Sequence, residues 1–301
     1  MLLTRAAITL FGGKGGVGKT TLAAAHALAL ADSGQRTLLV STDPAHSLGD
    51  ILDVRLGDRP RRVTGCLWAV EPDAEATVRR RIIQVADEAR TVVPDEVMPA
   101  VRRHLRHAAA APGMVESALH DRLIDYVDQV PETWDRLVVD SAPTGHLLRM
   151  LALPTLLAPW VHGLIQQRER ARAVDGFAAS VFDPEPGRDP VVEKLRARQR
   201  RLAAAAARLR TDAAVCLVTV PRRAVVAETR RAAAALRDDG IPLGVGVVNQ
   251  VPSRVDTAVL AELRALFAPV GWVEVPLLDT EPIGVAALRA LPRLTGAEPG
   301  P

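Results

Sequence analysis

Gly13-Lys14-Gly15-Gly16-Val17-Gly18-Lys19-Thr20 puts four glycines and two of the chain's three lysines into eight residues. The other 35 of the 38 basic residues are arginines, so positions 14 and 19 keep a side chain that is replaced almost everywhere else. A compact ammonium on a flexible stem can enter a phosphate cage that a planar guanidinium does not fit. The segment satisfies G-x-x-x-x-G-K-[ST], a phosphate-binding loop whose glycines let successive backbone N–H groups converge on phosphate oxygens. The amides from Gly15 to Thr20 are expected to cradle the phosphates, with Gly13, Lys14, Val17 and Thr21 in the same loop. Lys19 would bridge the β- and γ-phosphates and the Thr20 hydroxyl would reach Mg²⁺.

The flanks agree with this. Residues 6–11 (Ala-Ala-Ile-Thr-Leu-Phe) are a short apolar run that predicts a buried strand, and Thr21 to Ala31 is an Ala/Leu-rich helix former closed by Ser33-Gly34. Similar runs recur at 36–41, 66–70, 136–140, 214–220, 243–249 and 272–275, separated by helical stretches. That alternation predicts an α/β fold, a mostly parallel sheet with helices on both faces. Ligands on such sheets bind beyond the carboxyl ends of the strands. The phosphate loop, Thr42-Asp43 and Asp140 all fall at such ends. Strands are missing from about 71–135 and 150–212, and both blocks are expected to form one helical subdomain. Residues 1–295 then read as one ATP-binding domain and 296–301 as a disordered tail.

Composition narrows the function classes. The 301 residues carry a net charge of +3, too small to imply a nucleic-acid partner or an anionic membrane surface. The Ala/Arg stretch 196–210 reads as a solvated helix face, with a DNA-binding patch as its alternative. Cys66 and Cys216 stand alone, without a C-x-x-C, which fits a reducing, cytoplasmic setting and shows no thiolate zinc site. The apolar stretch 147–165 is broken by Arg149, Pro154, Pro159 and His162, so direct membrane insertion is not expected. The apolar start runs straight into the phosphate loop, which argues against a cleaved signal.

Two further segments carry chemistry. Ser41-Thr42-Asp43-Pro44-Ala45-His46-Ser47-Leu48-Gly49-Asp50 follows the second run, and Asp140-Ser141-Ala142-Pro143-Thr144-Gly145-His146 follows the fourth. Asp43 sits where a carboxylate could orient or deprotonate an attacking water, although an Asp before Pro44 also suits a turn or helix cap. Asp140 ends an apolar strand, where it is poorly placed unless it faces a cation, so it is a candidate to hold Mg²⁺ through water; a strand-end cap is the alternative. His46 and His146 read as hydrogen-bonding residues rather than proton carriers.

Together with the lysine that directly follows Gly13, these segments resemble the switch I and switch II motifs of the ArsA/GET family. That family includes the arsenite-pump ATPase and the ATPase that targets tail-anchored membrane proteins. Asn249-Gln250, after a Val-Val strand end, and Val275-Pro276-Leu277-Leu278 resemble its adenine-pocket segments, and Ala111-Pro112-Gly113-Met114 matches loosely. The resemblance implies a P-loop NTPase fold of the deviant Walker A class and a Mg²⁺-dependent ATPase. Asp43, Lys14 and Lys19 would act in catalysis, Thr20, Asp43 and Asp140 would lie around the metal, and Asn249 and Pro276 would meet adenine. Gly145 would bring its N–H to the γ-phosphate and release it on hydrolysis. It also implies a homodimer with two facing ATP molecules, in which Lys14 reaches the partner's phosphates. A single phosphate loop excludes a tandem pseudo-dimer within this sequence.

Two departures from the family pattern stand out. The interface C-x-x-C of tail-anchor-targeting relatives is absent from Val251–Asp256. The Glu expected soon after 216–220 is replaced by Arg222-Arg223.

On this reading the nucleotide-switched dimer handles hydrophobic membrane-protein segments, and 147–165 would supply part of a client surface or else lie in the core. Two alternatives are an energising subunit for arsenite or anion efflux and a positioning ATPase like MinD or ParA. Trivalent arsenic wants clustered thiolates, which this chain lacks. The Pro/Gly-rich C-terminal stretch does not read as the amphipathic membrane helix that a MinD-like protein uses.

Overall fold

The computed structural model describes residues 4, 6–43, 47–90, 96, 98–109, 114–141, 145, 147, 163, 166 and 190–291. Eight strands are found among them: β1 (Ile8–Gly12), β2 (Thr37–Ser41), β3 (Arg61–Thr64), β4 (Leu67–Val70), β5 (Arg136–Asp140), β6 (Ala213–Thr219), β7 (Gly246–Val251) and β8 (Trp272–Pro276). They form one sheet in the order β3-β4-β2-β5-β1-β6-β7-β8. Every pairing is parallel except that of β3 with β4.

The strands that are buried on both faces are those read from continuous apolar runs. β1, β2 and β6 are buried at every residue. Strand β3 was not expected, and its composition gives the reason. Arg61-Arg62-Val63-Thr64 has no apolar run, and as an antiparallel edge strand it needs to bury little; both arginines are exposed. Residues 243–245 lie outside β7, apart from a bridge of Leu243 to Val215.

Nine helices are described: α1 (Lys19–Asp32), α2 (Ser47–Leu52), α3 (Ala74–Arg90), α4 (Met98–Ala109), α5 (Met114–Val127), α6 (Pro190–Thr211), α7 (Arg223–Asp238), α8 (Thr257–Phe267) and α9 (Gly284–Arg289). None among the described residues is long and apolar enough to cross a membrane. The Ala-rich helix α1 lies against the sheet through Leu22, Ala23, Ala27 and Leu30, all nearly solvent-free, and small side chains let it approach closely. It ends at Ser33-Gly34 as expected, with Gly34 at φ 88°.

Contacts divide the chain into two units, residues 1–150 with 212–301, and residues 151–211. In the first, α3 lies against α4 and α5, so the described part of block 71–135 is mainly helical beyond β4. The described part of the second is α6 with Gly163 and Gln166, and Val192, Leu202, Ala205 and Leu209 are its buried side chains.

Candidate functional site

Parallel pairing brings the carboxyl ends of β1, β2 and β5 to one edge, because Phe11 is level with Asp140 and Ser41 with Asp140. The phosphate loop leaves β1 at that edge, with Gly13, Gly16 and Gly18 at φ 154°, 80° and 89°. These backbone conformations are open to glycine and costly for other residues. At Gly15 and Gly16 an added Cβ would meet nothing within 4 Å. At Gly13 it would lie 2.3 Å from the Val218 carbonyl oxygen, and at Gly18 2.4 Å from Asn249 Nδ2. The loop is thus closed on its inner side by β6 and β7 and open on its outer side.

Helix α1 opens with Gly18 as its cap residue, with no side-chain cap and no acidic residue in its first turn. Its first N–H groups and the positive end of its dipole therefore keep their affinity for an anion. The two loop lysines have different fates. Lys19 is 6% exposed and donates from Nζ to the Lys14 carbonyl at 3.3 Å. The Lys14 side chain is 47% exposed and lies 3.8 Å from the Glu228 carboxylate on α7.

Asp140 is completely buried. Its Oδ2 accepts from the Ser41 hydroxyl at 3.3 Å, while Oδ1 has no hydrogen-bond partner among the described residues. Burial pushes this carboxyl up to about 6; the Thr20 hydroxyl, the Lys19 ammonium and Ser41 offset part of that, and the nearby Asp43 charge adds to it. A buried carboxylate with a spare oxygen, beside a threonine hydroxyl and a second carboxylate, is the hard-oxygen donor set that suits Mg²⁺. The residues present therefore fit the cation expected from the sequence.

The remaining expected residues fall around this centre. Thr42 donates its N–H to the Asp140 carbonyl at 2.8 Å, and the Asp43 N–H reaches Ser41 Oγ at 3.3 Å. Thr21 is half-buried on α1, and Gly145 is exposed with open space where a Cβ would stand. Asn249 lies inside β7 rather than after a strand end. Its Nδ2 donates to the Val17 carbonyl at 2.8 Å, and Gln250 Nε2 reaches the Gly16 carbonyl at 3.3 Å. Gln250 sits at φ 53°, where the β7–β8 register shifts. Pro276 ends β8 opposite Val251 and is followed by the exposed Leu277 and Leu278, with Ile283 exposed just beyond. Residues 44–46 and 142–144, His146, and nearly all of 147–165 lie outside the described residues. Leu147, buried against Gly12, and Gly163 are the exceptions.

Three contributors were given no role by sequence reasoning. Glu71, just past β4, accepts from the Leu48 and Gly49 N–H groups. Ser47 Oγ lies 3.3 Å from Thr20 Oγ1. Glu228 meets Lys14 across six described helices and five strands of sequence, which no local pattern reveals. A carboxylate after an apolar run was the available signal for Glu71, since the same logic had singled out Asp140.

Comparison with known proteins adds an independent line. Residues 6–295 match the family described as anion-transporting ATPase. The chain is 32% identical to the ATPase ARSA1 of Chlamydomonas reinhardtii over 93% of its own length and 41% of that protein. It is 31% identical to the ATPase GET3B of Arabidopsis thaliana, covering 94% of the chain and 77% of that protein. With a putative arsenical pump-driving ATPase of Aquifex aeolicus it shares 25% identity over 94% and 96% of the two lengths. The chain thus spans less than half of the algal relative and most of the other two.

Proposed function

This chain belongs to the ArsA family of anion-transporting ATPases and is itself an ATPase, and from that premise we propose that it works as a Mg²⁺-dependent, nucleotide-switched homodimer. The observation that carries the reading is the convergence of Thr20, Ser41, Lys19 and Asp43 on the buried Asp140. Loop amides from Gly15 to Thr20 bind the phosphates, and Lys19 holds the β- and γ-phosphates. Thr20 and Asp140 would hold the cation, with Asp43 nearby. The cation supplies charge neutralisation on the transferring phosphoryl group. Asp43 orients the attacking water and accepts its proton. Gly145 brings its N–H to the γ-phosphate, so loss of that phosphate releases the segment behind it. Asn249 and Pro276 flank the adenine, with Leu277 as an apolar wall.

The two lysine environments support the dimer. Lys19 is enclosed in its own site, whereas Lys14 is half-exposed on the same loop and can serve a partner's phosphates. The helical block 71–135 serves as a client-facing layer for hydrophobic membrane-protein segments. Ile83 on α3 and Val115 on α5, 60% and 38% exposed, are apolar groups on that layer. The protein works in the cytoplasm, with neither nucleic acid nor direct membrane insertion involved.

The test is sedimentation with a non-hydrolysable ATP analogue and Mg²⁺, followed by a solubility assay with a tail-anchor peptide. A dimer that forms with the analogue and keeps the peptide soluble is expected. A monomer under all conditions sinks the switch, and a dimer without protection sinks the client.

A further inference from the structure

We propose that Glu71 is a positioning residue of this ATPase: its buried carboxylate pins the amino end of α2, and that pin holds the Ser47 hydroxyl beside the hydroxyl of Thr20. The inference rests on the reading of Thr20 as the metal-binding hydroxyl and extends it to a group outside the nucleotide motifs.

Glu71 is 9% exposed and follows β4, one residue beyond the Val40–Val70 pair of the sheet. Its own N–H is fixed by the Gly57 carbonyl at 3.1 Å. Oε1 accepts from Leu48 N–H at 2.8 Å and from Gly49 N–H at 3.3 Å, the orphan donors at the start of α2. A carboxylate in that place satisfies those donors by charge-assisted bonds and meets the positive end of the helix. Gly49 permits the approach, because a Cβ there would stand 3.2 Å from Glu71 Oε2 and 3.0 Å from the Val54 carbonyl oxygen. Helix α2 has only six residues, too short to hold itself, and lies between α1 and α9. The pin therefore decides where its first residue sits. That residue is Ser47, 3.3 Å from Thr20 Oγ1.

The chain before α2 gains the same constraint. Thr42 is tied to Asp140 on one side and Leu48 to Glu71 on the other, so Asp43 lies on a short tether fixed at both ends. A carboxylate outside the nucleotide motifs thus constrains Ser47 beside Thr20 and, through the chain, Asp43. Its removal is expected to cost turnover and cation dependence rather than ATP affinity, which the loop amides set.

The experiment combines amide hydrogen exchange of the nucleotide-free protein with Mg²⁺ titrations of turnover at saturating ATP. Glu71→Ala is expected to speed exchange at Leu48 and Gly49 at least tenfold and to lower kcat at least tenfold. It should raise the Mg²⁺ midpoint severalfold while the KM for ATP stays within threefold. Glu71→Gln keeps an acceptor at Oε1 and should remain within threefold on every readout. Ser47→Ala should raise the Mg²⁺ midpoint with wild-type exchange at Leu48 and Gly49. Unchanged exchange in Glu71→Ala overturns the proposal, as does faster exchange with wild-type kcat and Mg²⁺ midpoint. Should Glu71→Ala not fold, a wild-type midpoint in Ser47→Ala overturns it. A wild-type midpoint in Thr20→Ala instead overturns the metal reading underneath, while the exchange rates report the pin by themselves.

Discussion

The Lys14 ammonium rests 3.8 Å from the carboxylate of Glu228, a residue of its own chain on α7, with both side chains partly in solvent. An exposed pair at that distance contributes under about 1 kcal/mol, so polyphosphate can take the lysine from it. Lys14→Ala is expected to bind ATP within about threefold of wild type and to lose turnover at least a hundredfold, in line with the loss of a charge-stabilising finger. Specific activity of the wild type should rise with protein concentration. Glu228→Gln should change turnover by less than about fivefold, because it removes only a weak resting contact. Concentration-independent turnover that survives Lys14→Ala would exclude a lysine acting between subunits.

Asp140 predicts a conflict between stability and activity. Burial holds its carboxyl at about 6, above the ordinary 3.8, so the folded state prefers the protonated form. A raised pKa contributes stability at low pH that disappears as pH rises from 3.8 through 6, and at pH 7.5 the ionised carboxylate costs about 3 kcal/mol. Asp140→Asn should therefore raise the melting temperature of the nucleotide-free protein by several degrees at pH 7.5. The gain should shrink towards pH 4. The same variant should lose Mg²⁺-dependent turnover at least a hundredfold. Melting curves at the two pH values, beside turnover at pH 7.5, check both halves.

How much of this was legible in the sequence depends on the range of the interaction. The phosphate loop, α1 and its Ser33-Gly34 end, and seven of the eight strands are local patterns, and all were expected from apolar runs and glycines. Strand β3 was not, because an exposed edge strand carries no periodic apolar signal. Asp140 was legible as a carboxylate ending an apolar strand. Glu71 follows the same rule and was passed over, since no phosphate motif surrounds it. Asn249 was placed in the adenine pocket by resemblance, after a strand end, yet its amide is spent partly on Val17, 232 residues away in sequence. Such pairings are set by strand order, which the sequence does not spell out.

That Asn249 contact ties the phosphate loop to β7 and gives the next expectation. Gly18 has φ 89°, and a methyl group there would meet Asn249 Nδ2 at 2.4 Å. Gly18→Ala must strain the backbone and expel the amide, at a cost of roughly 2 kcal/mol or more. ATP affinity should fall at least a hundredfold. Asn249→Ala only removes the hydrogen bond to Val17, worth about 1 kcal/mol, and should weaken ATP binding about tenfold. Fluorescent-nucleotide titrations rank the two, and an equal or reversed ranking would show that Asn249 does not brace the loop.

Metalloid stimulation is the last expectation, and it follows from thiol chemistry. Cys66 precedes β4 and Cys216 lies in β6, four strand steps away across β2, β5 and β1, which is about 19 Å. One arsenic atom cannot bridge that gap. Burial also pushes the Cys216 thiol up to about 12, so it stays protonated at neutral pH and is a poor ligand. Cys216 is fully buried within β6, which keeps it from a thiol offered by a second copy. Arsenite or antimonite should therefore leave kcat and the KM for ATP within about twofold, in the wild type and in Cys66→Ser alike. Stimulation lost in Cys66→Ser would instead place Cys66 thiols from two subunits within bonding distance, because Cys66 is the thiol with partial solvent access.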